Sequence, residues 1–229
     1  MDATSLLAQH LKHYTAPIGK VVDMNSVDRL FAMNLTLNNS ELSTQLLNQP
    51  EAFDAWVTDK LRTTGSRYGV GGYMENRAIY TAREHFSDRG EARSIHLGID
   101  IWGAAGTTVY TPLDGTVHSF QDNAGYGDYG PTIIIQHNIA GLILYSLYGH
   151  LSSADLTGLA IGQHITAGQQ IARFGALTEN GNWPPHLHFQ LMLDMQGLSG
   201  DYPGVCKPSE KEKYLQKIPN PNLLLQFNM

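Results

Sequence analysis

One cysteine, Cys206, stands in a chain of 229 residues. That excludes an intramolecular disulfide framework and a cysteine-built zinc ribbon, and it fits a reducing compartment. Basic residues are also scarce: 15 Lys plus Arg against 21 Asp plus Glu leave a formal charge of −6. With no basic excess to neutralise phosphates, nucleic acid is not an expected partner. The 42% apolar content argues against disorder. No run approaches about 18 consecutive apolar residues, so no membrane-spanning helix is expected. The first residues, MDATSLLAQHLKHYTAPIG, lack a basic stretch followed by an apolar one. The expectation is therefore no signal peptide and a cytoplasmic location. Nothing in the pattern sets an oligomeric state.

Glycine, by contrast, is plentiful, at 23 residues, which predicts many tight turns and short strands. Residues 1–68 read as a helical N-terminal region. Ser5 to about Tyr14 is amphipathic and ends before Pro17 and Gly19. Ser26 caps an expected helix through Met33, with Val27, Leu30, Phe31 and Leu35 at helical spacing. Ser40 caps a third expected helix through Leu47. Pro50 opens a fourth, with Phe53, Trp56, Val57 and Leu61 on its apolar face and Gly65 at its end. Residues 69–199 read as a β-rich domain. Short strands are expected at 95–102, 107–112, 115–121, 132–137, 142–149, 164–174 and 187–193. The 132–149 pair suggests a hairpin closed by residues 138–141. Residues 79–93 are charged and read as a loop. Residues 200–229, with four prolines, read as an irregular tail packing on the core. The fold class expected is α+β, mainly β, with an antiparallel sandwich or barrel-like core.

Ten histidines are more than structure demands, and four sit in suggestive places. His186 and His188 form an HxH in PPHLHF. On a strand these residues point to one face, with Leu187, Phe189 and Leu191 facing the core. One imidazole can then ligate a metal while the other meets its water or the substrate. His96 and Asp100 form an HxxxD in HLGID. In a straight strand they would stand roughly 13 Å apart, too far to share a metal. The chain must therefore bend between them, and Gly98 permits that bend. His150 ends a strand in YGHLS. A His/Asp/His set with an open fourth position suits catalytic zinc. His150 and His186 then remain as general base, acid or hydrogen-bond donor.

HLGID, YGHLS and PPHLHF, in that order, resemble the motifs of the lysostaphin/LytM-type zinc metalloendopeptidases, which share the duplicated hybrid motif. AGTTVYTPLDGTV and ITAGQQIARFG are similar to two further segments of that family, and the resemblance covers about residues 94–196. It implies a compact antiparallel β core with zinc in a groove. It implies zinc held by His96, Asp100 and His188, with catalytic roles for His150 and His186. It also implies cleavage of peptide bonds, in peptidoglycan-type or glycine/D-residue-containing peptides. NRAIY, NWPPHLHFQ and DYPGV are similar to a branch found joined to class III aminotransferase-like proteins. Trp183 and its two following prolines are expected to make one groove wall bulky and stiff.

Two other functions fit the same residues. One is a catalytically silent peptide- or peptidoglycan-binding module. The other is a cytoplasmic zinc amidohydrolase acting on a small amide, favoured by a narrow groove walled by Trp183 and the helical region. Among the remaining candidates, His85 is expected in a solvated loop, and His118, His137 and His164 in ordinary structural roles. Arg93 reads as a surface ion pair or a substrate carboxylate contact. Glu75 and Arg77 read as a salt bridge or as supports behind the ligands. Tyr126 and Tyr129 lie on a loop, 123–131, that could touch substrate.

Overall fold

The computed structural model describes residues 1–79 and 91–228. Its centre is an eight-stranded sheet that does not close into a barrel. The strands are β1 (Leu30–Met33), β2 (Tyr68–Gly71), β4 (Ile99–Trp102), β6 (Gly115–Asn123), β7 (Gly130–Ile139), β8 (Leu142–Gly149), β9 (His164–Ile165) and β11 (His186–Met192). Their spatial order is β1-β2-β4-β11-β8-β7-β6-β9. The pair β1·β2 is parallel and the others are antiparallel. Two small antiparallel pairs flank this sheet. In one, β5 (Thr108–Tyr110) pairs with β10 (Gln170–Arg173), and in the other β3 (Ile95–His96) pairs with β12 (Val205–Cys206).

The long hairpin forms as the pattern predicts. β7 and β8 pair from Ile139↔Leu142 to Ile133↔Tyr148. Ala140 and Gly141 turn between them, both at positive φ (48° and 89°), the conformation that two-residue hairpin turns require. The 95–102 run splits into β3 and β4 at Leu97-Gly98, so His96 and Asp100 do not lie on one straight strand. The expected 164–174 strand also splits, into β9 and β10. In β11 the alternation holds: Leu187, Phe189 and Leu191 enter the main apolar core beside Ile99 and Ile101 of β4. The opposite face carries His186, His188, Asp100 and Trp102.

The N-terminal region is helical in part. Helix α1 (Ala3–Leu11) begins two residues earlier than expected, because the Asp2 carboxylate accepts from Ser5 N and caps it. Helix α3 (Pro50–Thr64) matches expectation, with Pro50 at its start and Gly65 left-handed at its end. The helix expected over Ser26–Met33 does not form. Asn25 and Asp28 close a turn through Asn25 N→Asp28 Oδ2 and Val27 N→Asn25 Oδ1, a local bonding pattern that competes with helix. Val27 stays 83% exposed, and Leu30–Met33 instead extends the sheet as β1. The third expected helix shrinks to α2 (Thr44–Leu47), capped by Ser43 rather than Ser40. Asn34, Thr36 and Asn39 hold the preceding residues in side-chain-to-backbone turns. In the C-terminal segment Leu224 and Phe227 join the main core. His85 and most of the 79–93 loop lie outside the described residues.

Candidate metal centre

The sheet register assembles the site. Strand β11 lies between β4 and β8, with His188 opposite Asp100 on one side and Gly149 on the other, and His186 opposite Trp102. His150 follows directly after β8. It holds a left-handed conformation (φ 63°), costly for a residue with a Cβ. Its amide donates to the Tyr129 carbonyl and its carbonyl accepts from Gly175 N, at 2.8 Å each, which pins that backbone. At Gly98, a Cβ would come within 2.7 Å of the His188 ring and 2.8 Å of the Phe189 carbonyl. The glycine thus lets the chain bend and lets His188 lie over it.

Three ligand atoms converge. His188 Nδ1 lies 3.0 Å from His96 Nε2 and 3.0 Å from Asp100 Oδ1, and His96 Nε2 lies 3.2 Å from the same oxygen. All three residues are buried. The other nitrogen of each ring faces an acceptor. His96 Nδ1 donates to the Gly72 carbonyl at 3.0 Å, and His188 Nε2 to Gln190 Oε1 at 3.0 Å. These bonds leave His96 Nε2 and His188 Nδ1 with lone pairs aimed at an anionic oxygen. Three such atoms in contact repel one another, and a cation at their centre reverses the sign. A tetrahedral ion with Zn–N bonds of 2.0–2.1 Å sets its donors about 3.3 Å apart, close to the separations here. The donor set therefore fits a small divalent metal.

Asp100 is held from behind. Its second oxygen pairs with Arg77 NH1, and Arg77 Nε donates to Glu75 Oε2 at 2.9 Å. Glu75 in turn accepts from Leu35 N at 3.2 Å. Burial alone would raise the Asp100 pKa. The Arg77 guanidinium beside it works the other way, and the carboxyl is held well below the usual range. Burial pushes His96 down to about 4, with the Arg77 charge adding to the effect.

The two further histidines lie beside the ligands. Their rings are 4.1 Å apart, and His186 stacks on Trp102 at 4.0 Å. His150 Nδ1 donates to the Asn180 carbonyl at 2.9 Å and His186 Nδ1 to the Pro184 carbonyl at 2.7 Å. His186 Nε2 lies 4.0 Å from Asp100 Oδ1. Burial lowers both pKa values, His186 to about 4 and His150 well below the usual imidazole range, with each cation disfavoured beside other imidazoles. Both rings are thus neutral near pH 7 and carry an unprotonated Nε2. Both line a cavity of about 370 Å³, together with His188, Asp100, Tyr129 and Trp183.

All five residues singled out from the sequence therefore meet in one place. Arg77 stands behind Asp100, and Tyr129 reaches the site, its hydroxyl 3.4 Å from His188 Nε2. Tyr126 is half-exposed, and Arg93 lines the cavity. His118 bonds Ser119, His137 is buried between the Asp114 carbonyl and Ser146, and His164 is exposed on β9. Gln190, Asn180 and the Gly72 carbonyl were missed by sequence reasoning. Only Gln190 carried a signal, sharing the HxH face two residues on.

The model of peptidase family M23 matches residues 94–199. This β-rich segment, a little under half of the chain, is similar to peptidase family M23. No curated protein matches the chain. Among solved structures, a zinc-containing peptidase from Vibrio cholerae is 30% identical over 43% of this chain and 27% of its own, with a TM-score of 0.35. A putative M23 peptidase from Pseudomonas aeruginosa is 20% identical over 58% of this chain and 45% of its own, TM-score 0.39. The catalytic domain of lysostaphin from Staphylococcus simulans is 21% identical over 70% of this chain and 97% of its own, TM-score 0.40. This chain thus spans less than half the length of the first two. Several groups around this site come from outside the matched segment: Leu35, Gly72, Glu75 and Arg77 before it, Pro203 and Val205 after it. Among the described residues, no helix is long and apolar enough to cross a membrane.

Proposed function

We propose that this protein is a zinc-dependent metallopeptidase, with zinc held by His96 Nε2, Asp100 Oδ1 and His188 Nδ1. The observation that carries this reading is the buried triangle of ligand atoms, 3.0, 3.0 and 3.2 Å on its sides, opening into a cavity shared with two neutral histidines. Bound zinc supplies Lewis-acid polarisation of the scissile carbonyl and a water acidic enough to attack at neutral pH.

His150 and His186 supply the proton transfers. Each holds its proton on Nδ1 against a backbone carbonyl and offers a basic Nε2. The ring that takes a proton becomes an imidazolium, a donor it was not before, and can pass that proton to the departing amine. The geometry gives both rings the same starting state, so either can serve as the base. Trp102, stacked on His186, and Asn180, bonded to His150, restrict ring rotation so that each Nε2 stays in place. Arg77 keeps Asp100 ionised and uses its second oxygen, leaving one oxygen for the metal.

The cavity and the likeness to family M23 support a peptide substrate. An amide-bonded peptide fits, including glycine-rich or D-residue-containing cell-wall peptides. A second reading, hydrolysis of a small amide, is favoured by the walls: Trp183 on one side, Leu35 of the N-terminal region and Ile79 on another. The test is elemental analysis of wild type and His188→Ala, followed by cleavage assays on muropeptides, glycine-rich peptides and small acyl-amino acids. Stoichiometric zinc in wild type, lost in the variant, together with EDTA-sensitive cleavage, supports the proposal. Zinc without cleavage of any of these would favour a binding module, and no zinc would overturn the reading.

A further inference from the structure

We infer that Gln190 is a positioning residue that sets which nitrogen of His188 is available to the metal. The inference rests on the metal reading above. His188 presents Nδ1 to His96 and Asp100, so its proton must sit on Nε2. An imidazole does not choose this by itself, because Asp100 Oδ1, 3.0 Å from Nδ1, invites the proton to the opposite nitrogen. The counterweight is Gln190 Oε1, 3.0 Å from Nε2.

Two observations show that Gln190 presents its oxygen to His188 and not its amino group. Its Nε2 donates to the Pro203 carbonyl at 3.1 Å, an acceptor with no proton to give. Reversing the amide would put two oxygens face to face in a residue with no solvent exposure, leaving buried acceptors unpaired. The Tyr129 hydroxyl, at 3.4 Å from the same nitrogen, does not decide the tautomer, because a hydroxyl gives or takes a proton equally well. The order thus runs from the Pro203 carbonyl, through the Gln190 amide, to His188 Nε2–H, and ends in a lone pair on Nδ1. Pro203 lies past the matched M23 segment, so the C-terminal stretch takes part in tuning a ligand inside it.

The test compares two variants in the full chain. Gln190→Glu keeps an acceptor and loses the donor to Pro203; Gln190→Met loses both. Both variants lose the Pro203 bond, so their difference reads the group that faces His188 Nε2, an anionic acceptor against a thioether. Zinc affinity is measured by chelator competition. Removing the outer partner of a metal-bound histidine costs about 10- to 100-fold in affinity, so Q190M should bind zinc weaker than Q190E by that factor. Equal affinities would overturn the inference while leaving the zinc site intact. A wild-type protein that takes up no zinc would overturn the metal reading itself, and this inference with it. Should neither variant fold, the wild type decides: nitrogen NMR of the metal-free protein at about pH 8 should show His188 Nε2 protonated. An unprotonated Nε2 would overturn the inference.

Discussion

His188 and Asp100 are direct partners across the β4·β11 pair, and their side chains meet at 3.0 Å between Nδ1 and Oδ1. Directly opposed residues on one sheet face hold their Cβ atoms about 5 Å apart, a span that two ligand side chains close around one ion. A one-residue slip of β11 would turn both histidines into the core. The ladder to β8 on its other side, from His188↔Gly149 to Met192↔Tyr145, guards against that slip.

Asp100→Ala should abolish zinc binding and also destabilise the metal-free protein. The Arg77 guanidinium, 1% exposed, would lose its carboxylate partner within the site. Arg77 keeps its pair with Glu75, so the cost should fall below the roughly 3–5 kcal/mol of a fully stranded buried charge. Urea unfolding in EDTA measures it, and an unchanged midpoint would show that the Arg77 pair is inert.

Gly98→Ala should weaken metal binding without touching a ligand. The new Cβ would press on the His188 ring and the Phe189 carbonyl at 2.7 and 2.8 Å. Overpacking of this kind costs about 1–3 kcal/mol, and it displaces Nδ1 from the triangle. The checks are a thermal melt and zinc affinity side by side. Wild-type values in both would mean that the bend relaxes freely.

His150→Ala and His186→Ala should each retain zinc and lower kcat by about 10²- to 10⁴-fold, the usual contribution of a positioned acid or base. Retained metal with lost turnover separates these two residues from the ligand set. If either variant also loses its zinc, that histidine belongs among the ligands.

Stability should fall as pH drops from about 6.5 to 4. Burial pushes His137 down to about 4 from the ordinary imidazole value of 6.5. Between those limits the unfolded chain binds a proton that the folded chain refuses, so acid favours unfolding. One such group contributes a slope of up to about 1.4 kcal/mol per pH unit. His137→Gln should reduce the slope by up to one proton's worth in metal-free protein. An identical slope would place the acid sensitivity elsewhere, His96 and His186 being the next candidates.

The strand alternation of β11, the hairpin turn at Ala140-Gly141, the Pro50–Gly65 helix and the bend at Gly98 were all written in the chain, because each depends on neighbours within a few residues. So was the set of histidines worth examining, since HxH on a strand needs only a period of two. Other features rest on partners far away in sequence. Leu30–Met33 is a strand because β2, nearly forty residues on, offers a free edge, while the local Asn25–Asp28 turn removes the helical alternative. Arg77 reaches Asp100, and Pro203 reaches Gln190, only once β3, β4 and β12 are folded against one another. Short-range pattern decided which groups exist and which face they take. Long-range register decided which nitrogen meets which oxygen, and that is a distance no spacing in the sequence encodes.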